Sequence, residues 1–79
     1  MEKVRVGVIG LGWVAQGVHL PILSHLQDAE IVAVCDRDRS RAKLVGEKFG
    51  IRRTYTDADQ MLANEGLHAV VVATSTDAH

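Results

Sequence analysis

A glycine-rich turn lies near the start of the chain, where Gly10-Leu11-Gly12-Trp13-Val14-Ala15 fits the pattern G-x-G-x-x-A. In this pattern the first glycine makes a tight turn, and the second has no Cβ, so a diphosphate can approach the backbone. The final alanine is small enough to let a helix pack close to the preceding strand. The same hexapeptide also occurs as a turn that only packs, so its surroundings decide what it does.

Two features of the surrounding sequence favour anion binding at this turn. No Asp or Glu occurs between Arg5 and Asp28, so the N–H groups and partial positive charge at the start of the first helix stay available to an anion. Asp36 follows at about the 20-residue spacing of an acid that accepts a hydrogen bond from the adenosine ribose. That spacing favours a ribose ligand over a solvated residue at a strand end. The predicted dinucleotide-binding residues of this first group are Gly10, Leu11, Gly12, Trp13, Val14 and Asp36.

The residues around Asp36 bear on which nicotinamide cofactor is bound. A carboxylate repels the 2′-phosphate of NADP, whereas the guanidinium of Arg37 or Arg39 can pair with a phosphate or stack on the adenine. We favour NAD over NADP and include Arg37 among the cofactor-binding residues. Arg39 and Arg41 are interpreted as part of a solvated helix face.

A second polar segment, Thr74-Ser75-Thr76-Asp77-Ala78-His79, follows the last predicted strand. Ligands of open α/β sheets bind at the carboxyl ends of the strands, where hydroxyl groups can hold ribose or phosphate oxygens. We therefore predict that Thr74, Ser75 and Thr76 contact the cofactor. The alternative, which is compatible with the first, is a polar loop in which Thr76 or Asp77 caps the next helix.

The remaining candidates do not indicate a metal site or a catalytic site. His19, His25 and His68 have no metal-ligand spacing with Cys35 or with one another, so we predict no metal and interpret them as surface or helix-end residues. Trp13 either lines the cofactor cleft or shields the start of the helix. Tyr55 is interpreted as a packing residue.

The elements that position these residues alternate between strand and helix. Apolar runs predict strands at 4–9, 31–35, 54–56 and 68–73. Helices are expected at 13–26, broken where Pro21 begins a second piece, at 39–49 between Asp38 and Gly50, and at 58–64 between Asp57 and Gly66. This order predicts an α/β fold, a Rossmann-type parallel sheet with strand order 3-2-1-4. We expect residues 1–79 to be one dinucleotide-binding domain, truncated after strand four, which is then an unprotected edge.

Composition limits the remaining function classes. The chain has 79 residues, a net charge of −1 and few aromatic residues, and Asp36 and Asp38 interrupt its one basic cluster, so nucleic-acid binding is not predicted. No apolar run reaches the roughly 20 residues that span a bilayer. A single cysteine within an apolar run and an N-terminus without a signal-peptide layout lead us to expect a buried, inert thiol and a cytoplasmic protein.

Residues 3–79 resemble the N-terminal NAD(P)-binding domain of the glucose–fructose oxidoreductase and inositol dehydrogenase family. Short matching segments occur in the family's order along nearly the whole chain, which is more specific than the glycine motif alone. The matching segments are Val6-Gly7-Val8-Ile9-Gly10-Leu11-Gly12, His19-Leu20-Pro21, Val32-Ala33-Val34-Cys35-Asp36-Arg37, Tyr55-Thr56-Asp57 and Ala69-Val70-Val71-Val72-Ala73-Thr74.

The resemblance implies hydride transfer between NAD(P) and a sugar, polyol or related alcohol. Thr74 and His79 match the family's spacing, and the resemblance implies that His79 also contacts the cofactor. Ser75 and Thr76 replace the family's usual Pro-Asn pair, which weakens the predicted contact with the nicotinamide ribose. The family's catalytic Glu-Lys-Pro motif would lie beyond His79, so no catalytic residue is assigned. We expect a small-molecule substrate and a homo-oligomeric full-length protein. A nucleotide sensor on the same fold, or another adenosine-cofactor enzyme such as a methyltransferase, are the alternatives.

Overall fold

The computed structural model describes residues 3–12, 16–17 and 20–73, which form a parallel sheet flanked by helices. The strands are arranged in the order β3-β2-β1-β4, which confirms the predicted Rossmann-type topology. The elements in chain order are β1 (Val4–Ile9), α1 (Leu20–His25), β2 (Ala29–Cys35), α2 (Arg39–Phe49), β3 (Arg53–Tyr55), α3 (Ala58–Asn64) and β4 (Ala69–Val72).

The two central strands, β1 and β2, are apolar because both faces of the sheet are covered. On one face, Val6, Val8 and Val34 pack with the buried side chains of α2. On the other face, a second cluster centres on Met61 of α3, which is fully buried. The two central strands therefore lie between two packed layers.

Helices α2 and α3 begin at the predicted capping residues. The side chain of Asp38 accepts a hydrogen bond from the Arg41 N–H, and Asp57 accepts from the N–H groups of Asp59 and Gln60. Gly50 ends α2 with a φ of 71°, a left-handed conformation that glycine adopts at little cost. Both helices have the predicted bounds.

Helix α1 begins at Leu20, so Pro21 lies in its first turn. Proline is tolerated there because the N–H that it lacks has no partner within the helix. This agrees with the prediction that a short helical piece begins near Pro21. The expected helical segment before it contains residues 13–15 and 18–19, which lie outside the described residues.

The strand ends differ from the predictions by one or two residues. β2 begins at Ala29 rather than at residue 31, because Val4 and Arg5 of β1 pair with Ala29 and Glu30. Strand β3 lies one residue earlier than expected, and β4 covers only Ala69–Val72. The cap of α3 is Glu65, in an extended conformation, rather than Gly66. The earlier start of β2 depends on a pairing partner that a local pattern does not contain.

Strand β4 lies at one edge of the described sheet, as predicted. Its only described strand partner is β1, and the side chains of Val70 and Val72 are exposed. Among the described residues, no helix is long and apolar enough to cross a bilayer.

The carboxyl ends of all four strands meet at one edge of the sheet. The Gly10 N–H donates to the Cys35 carbonyl at 2.8 Å, and the Asp36 N–H donates to the Tyr55 carbonyl at 3.0 Å. The Ala73 N–H donates to the Ile9 carbonyl at 2.8 Å. These bonds extend the pairing beyond the strands and bring the glycine turn next to Asp36.

Candidate cofactor site

The glycine turn leaves β1 at Gly10, whose φ of 88° is in the left-handed region that favours glycine. The side chain of Leu11 is fully buried in the core and anchors the turn to it. On the other side, the Gln16 N–H donates to the Gly12 carbonyl at 3.0 Å, and the Gln16 side-chain amide donates to the Leu11 carbonyl at 2.7 Å. The turn is therefore held by the core and by two hydrogen bonds from Gln16.

Gly12 has open space where a side chain would be. A Cβ built on this residue meets no protein atom within 4 Å, and its φ lies outside the left-handed region. The packing of the described protein atoms therefore does not require glycine here. The small size of Gly12 is consistent with the close approach of a diphosphate to the backbone.

The carboxylate of Asp36 lies directly beside this turn. Its Oδ2 accepts a hydrogen bond from the Leu11 N–H at 2.8 Å, and its Oδ1 accepts one from the Asp38 N–H at 2.8 Å. Its side chain is 10% exposed, and a guanidinium nitrogen of Arg41 lies 3.8 Å from Oδ2. The acid predicted for the ribose thus lies where β2 ends, in contact with the turn predicted for the diphosphate.

A cavity of about 380 Å³ opens between the turn and Asp36. Its volume falls in the range of about 300–1,000 Å³ that is usual for ligand pockets. The residues that line it are Ile9, Gly10, Leu11, Gly12, Cys35, Asp36, Arg37, Arg41, Thr56, Ala58 and Ala73. It lies at the carboxyl ends of the strands, the position at which open α/β sheets bind ligands.

A larger hollow of about 860 Å³ lies between α2 and β3 and includes Arg39 and Lys43. It does not include the glycine turn or Asp36. The smaller cavity is therefore the better candidate, because it combines the strand ends, the turn and the carboxylate.

Arg41, which was predicted only as part of a solvated helix face, lies at the candidate site. Its side chain is half exposed, as expected there, but it also lines the cavity beside Asp36. The signal was present in its position, because side chains in a first helical turn lean toward the helix N-terminus. Arg39, two residues earlier, lines the larger hollow instead.

Thr56, Ala58 and Ala73 also line the cavity and were not predicted as site residues. All three follow the carboxyl ends of β3 or β4. The rule that ligands bind along this edge of the sheet would have indicated them.

Several predicted contacts involve residues outside the described part of the chain. These are Trp13, Val14, Thr74, Ser75, Thr76 and His79. The residues that the structure does bring together are Gly10, Leu11, Gly12, Asp36 and Arg37.

The cysteine at the end of β2 is buried, as predicted. Burial raises the pKa of the Cys35 thiol above its usual range, and the negative charges of Asp36 and Asp57 raise it further. A thiol held in its neutral form is a poor nucleophile, so Cys35 is a packing residue in this cavity wall. Within residues 3–12, 16–17 and 20–73, no group of three or more His, Cys, Asp or Glu side chains is arranged to hold a metal ion.

Comparison with known proteins gives a consistent result. Residues 4–79 match the family described as an oxidoreductase family with an NAD-binding Rossmann fold. The chain is 38% identical over 79 residues to a D-apiose dehydrogenase of Rhizobium rhizogenes, covering 100% of this chain and 23% of the relative. It is 33% identical over 75 residues to a myo-inositol 2-dehydrogenase of Thermotoga maritima, covering 95% of this chain and 22% of the relative.

The chain is also similar in structure to a solved oxidoreductase. An oxidoreductase from Agrobacterium radiobacter, in complex with NAD⁺, L-tartaric acid and magnesium, superposes with a TM-score of 0.81 at 39% identity. The match covers 92% of this chain and 21% of that one. The chain thus spans between a fifth and a quarter of the length of the proteins it matches.

Proposed function

The chain belongs to the oxidoreductase family with an NAD-binding Rossmann fold, and on this premise we propose that it is the cofactor-binding domain of a nicotinamide-dependent oxidoreductase. The whole protein is proposed to transfer a hydride between NAD and a sugar, polyol or related alcohol. The observation that carries the proposal is the position of the Asp36 carboxylate beside the glycine turn, at the mouth of one cavity. The same family membership confirms the resemblance predicted from the sequence segments.

The residues present fit the cofactor at two points. The open space at Gly12 admits the pyrophosphate, and Asp36 offers acceptor oxygens to the hydroxyls of the adenosine ribose. When bound, the nicotinamide supplies the hydride acceptor or donor. The role of this chain is to bind and orient that group, and the catalytic residues of the whole protein are not among those assigned.

The substrate class is proposed from the relatives. The names of the two relatives, a D-apiose dehydrogenase and a myo-inositol 2-dehydrogenase, give a sugar and a polyol as substrates. We propose a small polyhydroxylated substrate for the whole protein and a homo-oligomeric assembly. A screen of sugars and polyols that follows nicotinamide absorbance tests the substrate class; no turnover with any of them argues against it.

We propose NAD rather than NADP because a carboxylate at Asp36 would repel the 2′-phosphate of NADP. Asp36→Ala is expected to weaken NAD binding by at least about tenfold, since a charge-assisted hydrogen bond contributes about 1.5–3 kcal/mol. NADP binding should fall less or improve, because the repulsion of the 2′-phosphate is removed. Calorimetric titration of the intact wild-type and variant proteins with both cofactors measures this. Unchanged NAD affinity in the variant contradicts the ribose assignment.

Arg41 is proposed to support the residual affinity for NADP. Arg41→Ala is expected to lower NADP affinity by up to about fivefold, the effect of a half-exposed ion pair, and to leave NAD affinity nearly unchanged. Arg39→Ala is the matched control, because it removes the same charge from the same helix but not from this cavity. Equal effects of both variants on NADP would show that only the overall charge matters.

A further inference from the structure

We propose that Asp36 is also a positioning residue for the glycine turn: by holding the Leu11 N–H, its carboxylate fixes the turn in the shape that admits a diphosphate. This inference rests on the proposed function, because it assumes that the turn binds the cofactor's pyrophosphate. Asp36 would then have a second role, which it already performs in the cofactor-free protein. The role of Leu11 also changes, from a cofactor ligand to a link between the turn and the acid.

The link is a direct contact between two distant parts of the chain. Leu11 lies between the two glycines of the turn, and its N–H donates to Oδ2 of Asp36 at 2.8 Å across a sequence separation of 25 residues. A backbone N–H that points at a carboxylate is not available to a phosphate. The diphosphate must therefore be held by other N–H groups, and the Leu11 N–H serves to orient the turn that carries them.

The surroundings make this bond effective. The Leu11 side chain is fully buried and the Asp36 side chain is 10% exposed, so the bond is largely shielded from water. Charge-assisted hydrogen bonds are shorter and stronger than neutral ones. The adjacent Gly10 N–H donates to the Cys35 carbonyl, so two consecutive residues of the turn are tied to the end of β2.

The carboxylate keeps acceptor capacity for the ribose. Oδ1 accepts from the Asp38 N–H at 2.8 Å, and each carboxylate oxygen has two acceptor positions. One position on each oxygen therefore stays available after the Leu11 and Asp38 bonds are made, although Arg41 lies 3.8 Å from Oδ2. Asp36 can thus hold the turn and accept from ribose hydroxyls at the same time.

Loss of the carboxylate removes the acceptor for the Leu11 N–H in a shielded position. The turn then shifts to give that N–H another partner, and the diphosphate site changes shape. A cofactor analogue without adenosine ribose hydroxyls should therefore also bind less tightly to an Asp36 variant. If Asp36 acted only on the ribose, such an analogue would not distinguish the variant from the wild type.

The test uses NAD and an NAD analogue with a 2′,3′-dideoxy adenosine ribose, titrated calorimetrically into the intact wild-type and Asp36→Ala proteins. We expect the variant to bind the analogue at least fivefold more weakly than the wild type does. Equal affinities of the two proteins for the analogue overturn the inference, while a loss confined to NAD still supports the ribose assignment. Failure of the wild type to bind NAD at all instead overturns the proposed function.

A second readout needs no cofactor. Hydrogen–deuterium exchange at the Leu11 amide of the cofactor-free protein should be at least tenfold faster in Asp36→Ala, measured against the amide of Val34, a buried residue of β2. Asp36→Asn keeps one oxygen acceptor and should retain more of the protection than alanine does. Asp57→Ala is the matched control, because it also removes an aspartate that accepts backbone hydrogen bonds, in this case at the start of α3. Unchanged Leu11 exchange in Asp36→Ala, or an equal acceleration in Asp57→Ala, overturns the inference.

Discussion

Replacement of Gly12 by valine is expected to weaken NAD binding by more than about a hundredfold, with the thermal unfolding midpoint of the protein unchanged. A Cβ at this position meets no atom of the described residues within 4 Å, so we expect the fold to tolerate the side chain. The valine side chain would, however, occupy the space through which a diphosphate approaches the backbone. Displacing the diphosphate loses several hydrogen bonds to a charged group, each about 1.5–3 kcal/mol, and two such losses exceed a hundredfold in affinity.

A graded series makes this prediction specific. Gly12→Ala adds one methyl group and should weaken binding less, by about 5- to 150-fold for a misfit of about 1–3 kcal/mol. Gly66→Val is the matched control, since a Cβ on Gly66 also meets no protein atom within 4 Å and this residue does not line the cavity. The measurements are calorimetric titration with NAD and thermal unfolding. If Gly12→Val binds NAD as tightly as the wild type does, the diphosphate does not bind at this turn.

Sequence patterns predicted the helix ends that depend on interactions between residues close together in the chain. The bounds of α2 follow from Asp38 and Gly50, whose capping interactions lie within four residues of them along the chain. The bounds of β2 do not follow from its own sequence, because Ala29 and Glu30 become strand only through pairing with Val4 and Arg5. Register is a property of two strands, and a single run cannot specify it.

The candidate site also combines features that the local sequence predicts with features that depend on distant parts of the chain. Gly10, Gly12 and Asp36 were predicted from their spacing and from their places between the predicted strands and helices, because the Rossmann fold has a regular order of strand, turn, helix and strand. The bond between the Leu11 N–H and Asp36 could not be predicted, since it depends on the relative orientation of two strand ends. The position of Arg41 beside Asp36 likewise depends on how α2 leaves the sheet.

Tyr55 was interpreted as a packing residue, and the structure adds a polar role that leads to the second large prediction. Its hydroxyl donates to Oε2 of Glu65 at 2.6 Å. Arg53 and Arg5 lie 3.4 Å and 4.0 Å from the two oxygens of the same carboxylate, whose side chain is only 2% exposed. Glu65 therefore connects the end of α3 to residues of β3 and β1. The β3 partners lie 10 and 12 residues before Glu65 in the sequence.

The hydrogen bond from Tyr55 contributes most to this cluster. The side chains of Arg5 and Arg53 are 40% and 63% exposed, so their ion pairs are screened by water and contribute little. The bond also raises the pKa of Tyr55, since the neutral hydroxyl is the form that donates to Glu65, and burial and the charge of Glu65 act in the same direction. The stabilisation from this bond is thus fully present below the pKa of an unfolded tyrosine, about 10, and is lost as pH rises through the raised value.

Glu65→Ala is accordingly expected to lower the free energy of unfolding by about 1.5–3 kcal/mol, the contribution of hydrogen bonds to a buried charged group. Glu65→Gln keeps an oxygen acceptor for Tyr55 and should cost less. The exposed Glu47→Ala on α2 is the matched control, with a change within about 0.5 kcal/mol. Chemical unfolding at pH 8 and pH 11 measures the effect. The difference between wild type and Glu65→Ala should shrink at the higher pH, because Tyr55 then ionises in the unfolded chain while its raised pKa opposes ionisation in the folded wild type. An equal difference at both pH values would show that Glu65 acts through packing rather than through Tyr55.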